Sequence, residues 1–70
     1  MRVRLRWKAA QGPFHVQYRR AGTKKWRTLA VRTQQRQRIV RLSRGKWQLR
    51  VRAVPAFSPA GPWRSLTIRL

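Results

Sequence analysis

Fifteen arginines and four lysines carry nearly all the reactive character of this chain, and no aspartate or glutamate accompanies them. Over 70 residues the formal charge is +19. Guanidinium groups make planar, two-pronged contacts with phosphate and carboxylate and stack on aromatic rings. Such a set suits phosphate backbones and acidic protein surfaces. The excess of Arg over Lys also follows from GC-rich coding, but the missing acidic residues do not, because their codons contain G or C as well. The same inventory points away from catalysis. There is no carboxylate side chain for proton transfer, no cysteine nucleophile, and Ser43, Ser58 and Ser65 have no Asp–His relay to draw on. The lone histidine, His15, alternates outward between Phe14 and Val16 and reads as a solvated surface residue. One imidazole is not a metal coordination sphere. No glycine-rich phosphate loop is present. We therefore expect a protein that is not an enzyme and needs no cofactor or metal.

Without internal anions, repulsion among the cations has to be offset from outside, so a polyanionic partner is implied. At 8.4 kDa one domain, residues 1–70, is expected, at a size where a single core is barely adequate. No disulfide reinforces it, and the redox compartment is not readable. No apolar run approaches the roughly 20 residues of a membrane span. The alternating start Met1-Arg2-Val3-Arg4-Leu5-Arg6 does not read as a signal peptide. Localisation is therefore left open, with an assembled particle as one route out of a cell.

The elements that position these cations read as strands. A chain this charged would stay disordered if it were poor in apolar residues. This one is 41% hydrophobic, with four Trp, and its apolar residues fall at period two. Val3, Leu5 and Trp7 alternate with Arg2, Arg4, Arg6 and Lys8. Phe14, Val16 and Tyr18 alternate with His15, Gln17 and Arg19. Trp47, Leu49, Val51 and Ala53 alternate with Gln48, Arg50 and Arg52, and Leu66, Ile68 and Leu70 with Thr67 and Arg69. Shorter β-prone pieces lie at 26–32 and 36–42. Turn residues separate the runs at Gln11-Gly12-Pro13, Ala21-Gly22-Thr23, Ser43-Arg44-Gly45-Lys46, and from Pro55 to Pro62. Several short strands with turns between them predict an all-β, small antiparallel β-sandwich.

The ordered set Leu5-Arg6-Trp7, Phe14-x-Val16-x-Tyr18-Arg19, Trp26, Ile39-x-x-Leu42-x-x-Gly45, Trp47-x-Leu49-x-Val51-Arg52-Ala53-Val54 and Gly61-Pro62-Trp63-x-Ser65 resembles a fibronectin type III domain of the immunoglobulin-like sandwiches. The resemblance runs over nearly the whole chain and implies six strands. Val3–Lys8 matches that family's strand B, Phe14–Arg19 its C, the Trp26 segment its C′, Ile39–Leu42 its E, Trp47–Val54 its F and Leu66–Leu70 its G. Two departures stand out. Trp47 takes the place of the tyrosine whose hydroxyl bonds back to the corner before strand F. Nothing precedes strand B, so an edge beside Val3–Lys8 is left open to β-augmentation by a partner strand.

On that alignment Arg2, Arg4, Arg6 and Lys8, joined by Arg41, project from the outer face of one sheet. Arg19, Arg50, Arg52 and Arg69 project from the other, while Arg20, Lys24 and Lys25 lie at or beside a turn. These twelve are the candidate polyanion-binding residues. In relatives of the family, stretches like Gly61-Pro62-Trp63-Arg64-Ser65 sit where a strand-F arginine stacks on the tryptophan, which suggests Arg50 or Arg52 on Trp63. Trp63 and Phe57 are alternatively candidates to stack on an unpaired base. Trp7, Tyr18 and Trp47 are expected in the core. Cations on all sides suit a domain embedded among polyanions better than a reader with one docking face. Three functions fit: a sequence-independent nucleic-acid-binding module, a structural subunit of a larger assembly such as a virus particle in contact with acidic protein or packaged nucleic acid, and an adhesive module for an acidic surface. The open edge and the charge favour the subunit.

Overall fold

A computed structural model describes residues 1–8 and 12–70, and the secondary structure of these residues is entirely β. The six strands are β1 (Arg2–Arg6), β2 (Phe14–Arg20), β3 (Arg27–Thr33), β4 (Gln37–Arg41), β5 (Lys46–Ala53) and β6 (Arg64–Arg69). β1 and β4 form a two-stranded antiparallel sheet, and a four-stranded antiparallel sheet runs β3-β2-β5-β6. Gln11, assigned to a turn from the sequence, lies outside the described residues.

Period-two patterning translates directly into burial. Phe14 and Val16 of β2, Leu49 and Val51 of β5, and Leu5 and Trp7 at the two-stranded sheet form one buried cluster. Val3, Tyr18, Leu29, Val40 and Ile68 pack against it. The cluster draws on both sheets, so burying it is what holds one sheet over the other. The register puts like with like: Val16 faces Val51 and Tyr18 faces Leu49 across the central β2–β5 pair. Each such core side chain contributes about 1.5–3 kcal/mol by leaving water.

One expected core residue is placed differently. Trp47 lies at the rim, half-buried, at the end of the β2–β5 ladder, where it opposes Arg20 on one side and Ile68 of β6 on the other. There its indole N–H donates to the Ser43 carbonyl at 2.9 Å, so a tryptophan closes the corner before β5. Arg20 completes that corner. Its Nη1 donates to Ser43 Oγ and its Nη2 to the Arg44 carbonyl, each at 2.8 Å, and its guanidinium stands 5.2 Å from the Trp47 ring. Gly45 is required there: its φ is +138°, and a Cβ would sit 2.8 Å from Arg20 Nη2.

Leu66 shares the parity of Ile68 in its alternating run and opposes Leu49, yet it is 54% exposed. The reason is width. Strands are spaced about 4.8 Å apart, so two strands cover only about half of a four-stranded sheet. The inner face of β6 therefore remains largely open, which explains why Leu66 gains little burial. Leu49→Ala is expected to lower unfolding free energy by roughly 2–5 kcal/mol in chemical denaturation, whereas Leu66→Ala should cost under about 1 kcal/mol. Equal losses at both positions would contradict this packing.

Candidate polyanion-binding surfaces

The outer face of the four-stranded sheet is built by alternation along β2 and β5. Facing outward from β2 are His15, Gln17 and Arg19, which oppose Arg52, Arg50 and Gln48 of β5. Each cation thus meets a neutral polar group across the ladder rather than another cation. Arg19 Nε donates to Gln48 Oε1 at 2.7 Å, and Arg50 donates through both Nε and Nη2 to Gln17 Oε1, the former at 2.8 Å. Gln17 passes its own amide hydrogen to Thr28 Oγ1 on β3 at 3.4 Å.

Two tryptophans enter this face from its flanks, each just ahead of an outer strand: Trp26 before β3 and Trp63 before β6. Their rings interleave with the guanidiniums. Arg19 and Arg50 each stand 4.2 Å from the Trp26 ring, Arg50 is also 4.2 Å from Trp63, and Arg52 is 4.4 Å from Trp63. The order Arg19–Trp26–Arg50–Trp63–Arg52 is a continuous cation–π ladder with Arg50 sandwiched at its centre. Both arginines proposed from the sequence as Trp63 partners are used. Each contact contributes about 0.5–1 kcal/mol at such exposure. The Trp26 role and the two glutamines were not anticipated, because cross-strand register, not strand period, brings them together.

His15 also departs from its expected place. It is half-buried, its ring centroid 5.1 Å from that of Trp63, and its Nδ1 lies 3.3 Å from Arg52 Nη2. Loss of hydration, then the charges of Arg52 and Arg50, hold its pKa below the ordinary 6.5. It is thus a neutral polar acceptor within a cationic face. Loss of hydration, followed by the charges of Arg19 and Arg52, likewise depresses Arg50, which nonetheless stays a cation at any physiological pH.

The remaining candidates divide among separate surfaces. Arg2, Arg4 and Arg6 share the outer face of the two-stranded sheet, where they line a groove with Ile39; Arg41 opposes Arg2 in the ladder, and Lys8 follows the strand, exposed. Lys24 and Lys25 are exposed in the connection between β2 and β3, and Lys25 lines a cleft with Arg19, Arg20, Trp26, Arg27 and Trp47. Arg69 is exposed on β6, opposite Lys46. Phe57, in the loop between β5 and β6, is fully exposed. Arg20 is bound into the corner before β5. The cations are thus not gathered into one site.

No helix of the described residues is long and apolar enough to cross a membrane. No family model, curated protein or solved structure matches the chain.

Two outcomes follow from this face. Arg50→Ala should destabilise the fold by about 1–2 kcal/mol, since it removes the centre of the ladder and the bond to Gln17 while relieving some repulsion. A double-mutant cycle with Trp63→Ala should give a coupling of about 0.5–1 kcal/mol, and zero coupling would mean that the stack carries no energy. The pH behaviour is set by His15. Its folded pKa is depressed, so the unfolded chain binds the proton more readily, and stability declines as pH falls from about 7 through 6.5 toward the folded value. The sequence holds one histidine and no aspartate, glutamate or cysteine, so His15 is the one side chain of a type that ordinarily titrates between about pH 4.5 and 8. Thermal melts from pH 8 to pH 4.5 should show this decline, and His15→Gln should flatten it.

Proposed function

We propose that the chain is a non-enzymatic structural and interaction module, a small subunit of a larger assembly such as a virus particle, whose basic faces contact acidic protein surfaces or packaged nucleic acid. The observation that carries this reading is how the cations are accommodated. Arg19, Arg20, Arg50 and Arg52 are held by amides, a hydroxyl, a carbonyl and aromatic rings, none of which cancels charge, so the +19 remains for an external anion. Cations on both outer faces suit a body surrounded by anionic neighbours. The fibronectin type III-like reading is supported by the strand order, with β1–β4 as the family's B–E pair and β3-β2-β5-β6 as its C′-C-F-G sheet. It is further supported by the Arg50–Trp63 stack.

Free-standing, sequence-independent nucleic-acid binding is the second reading, favoured by one specific observation: a fully exposed Phe57 on a loop, available to a base. Fluorescence titrations with duplex DNA at several salt concentrations test the polyanion contact shared by both readings. Binding should be indifferent to sequence, with a log–log salt slope of about −5 if six phosphates are neutralised. Purification from the native source, with nuclease treatment and a high-salt wash, separates the two. An acidic protein retained at fixed stoichiometry supports the subunit. Recovery of the chain alone, with DNA affinity intact and reduced by Phe57→Ala, supports the second reading. Failure to bind any polyanion at low salt would overturn both.

A further inference from the structure

Strand β1 has one paired edge and one open one. Among the described residues its ladder is with β4 alone. Hydrogen bonding in an antiparallel pair alternates between residues that exchange both backbone bonds and residues that exchange none. Met1 and Leu42 exchange both, at 2.8 and 2.9 Å, and the Trp7 N–H donates to the Arg36 carbonyl at 3.0 Å. With the register Val3↔Val40 and Leu5↔Arg38, the odd-numbered residues therefore point their backbone groups at β4. The N–H and C=O groups of Arg2, Arg4 and Arg6 point the other way, to the open edge.

What lies beyond that edge is apolar. A cleft of about 170 Å³ runs between the end of β1 and the inner face of β6, lined by Trp7, Leu49, Val51 and Leu66, with Arg6, Lys8 and Arg64 around it. Leu66, more than half exposed, is available on one wall. Trp7, 93% buried, forms part of another, and its indole N–H has no hydrogen-bond partner among the described residues. The open edge thus combines a free backbone ladder, an uncovered apolar strip and an unpaired buried donor, flanked by cations.

We infer that the open edge of β1 receives an extended segment of an acidic partner protein, added as a strand whose Asp or Glu side chains alternate with apolar ones. The alternation follows from the register. Residues of the added strand opposite Arg2, Arg4 and Arg6 share their outward face and meet three guanidiniums, where opposite charges stabilise a cross-strand pair. Residues opposite Val3, Leu5 and Trp7 turn inward over the cleft and cover Leu66. A second copy of this chain does not fit. Pairing β1 with itself would set arginine against arginine, and every other strand of the chain carries cations and no carboxylate. Nucleic acid satisfies the guanidiniums but supplies neither a strand ladder nor an alternating apolar face. The inference rests on the subunit reading above and specifies the chemistry of its partner.

The test uses the full chain and three synthetic probes of matched charge: a seven-residue peptide alternating glutamate with valine and leucine, a peptide of the same composition with its glutamates in one block, and a short DNA duplex. Titration followed by amide resonances should show the alternating peptide binding at least about tenfold more tightly than the blocked one, with the amide hydrogens of Arg2, Arg4 and Arg6 newly protected from exchange. Arg4→Pro removes one of the outward amide hydrogens and leaves the ladder to β4 intact, while Arg4→Ala removes the charge alone. Arg4→Pro should weaken the alternating peptide about tenfold more than Arg4→Ala does, and the two variants should lose DNA affinity equally. Peptides that bind alike, without protection of those three amides in the unmodified chain, would overturn strand addition while leaving the polyanion reading standing. Binding of no anion at all would overturn that reading too.

Discussion

The fold depends on holding cations without anions. A basic protein ordinarily tethers its arginines to carboxylates, and that option is absent here because no side chain carries negative charge. Neutral groups take over. Amide oxygens of Gln17 and Gln48, the hydroxyl of Ser43, the carbonyl of Arg44 and the faces of Trp26, Trp47 and Trp63 hold Arg19, Arg20, Arg50 and Arg52. Hydrogen bonds from a charged donor to a neutral acceptor are still stronger than neutral pairs, at about 1.5–3 kcal/mol. None of them cancels charge. The anchoring therefore orders the guanidiniums while leaving their field intact.

That separation of order from charge divides the cations into two populations. Those of the ladder have lost their rotamer freedom already, so an anion that meets them encounters a fixed array and gives up less ordering entropy on binding. Arg2, Arg4 and Arg6 project from a strand that is itself half-paired, and among the described residues no hydrogen bond or ring contact holds their side chains. The first surface is stiff, flat and aromatic. The second combines mobile charge with an incomplete sheet, so its order comes from what binds there.

Much of this was legible in the residues. Strict alternation placed Leu5, Trp7, Phe14, Val16, Leu49 and Val51 in one core because period two admits a single inward face once a chain is paired. It also put Arg50 and Arg52 on the outer face, while their pairing with Trp63 came from the resemblance to fibronectin type III domains. What escaped depends on which strand lies beside which. Trp26 stood outside any alternating run, and only the β2–β3 pairing brings its ring over Arg19 and Arg50. His15 was read as solvated because it alternates outward, but an outward face beneath a tryptophan is not a solvated one. Trp47 and Leu66 have inward parity at places where the opposite sheet does not reach, and parity does not reveal how far a sheet extends. Trp47, a departure from the tyrosine of the resemblance, still closes the corner, its indole N–H donating to the Ser43 carbonyl.

The placement of arginine at every second position of β1, and at neighbouring outward positions of β2 and β5, also governs how the chain meets proteases that cut after basic residues. A peptide bond locked in a ladder cannot adopt the fit a protease active site demands, so most of these bonds are shielded while the sheets are intact. The exposed Lys24–Lys25 connection has no such shield. Along the open edge of β1, the outward backbone groups of Arg2, Arg4 and Arg6 offer a protease the same ladder they offer a partner strand. Occupying that edge would thus protect β1 as well as complete the sheet. A copy whose edge stays empty would keep Arg2, Arg4 and Arg6 open to such cleavage.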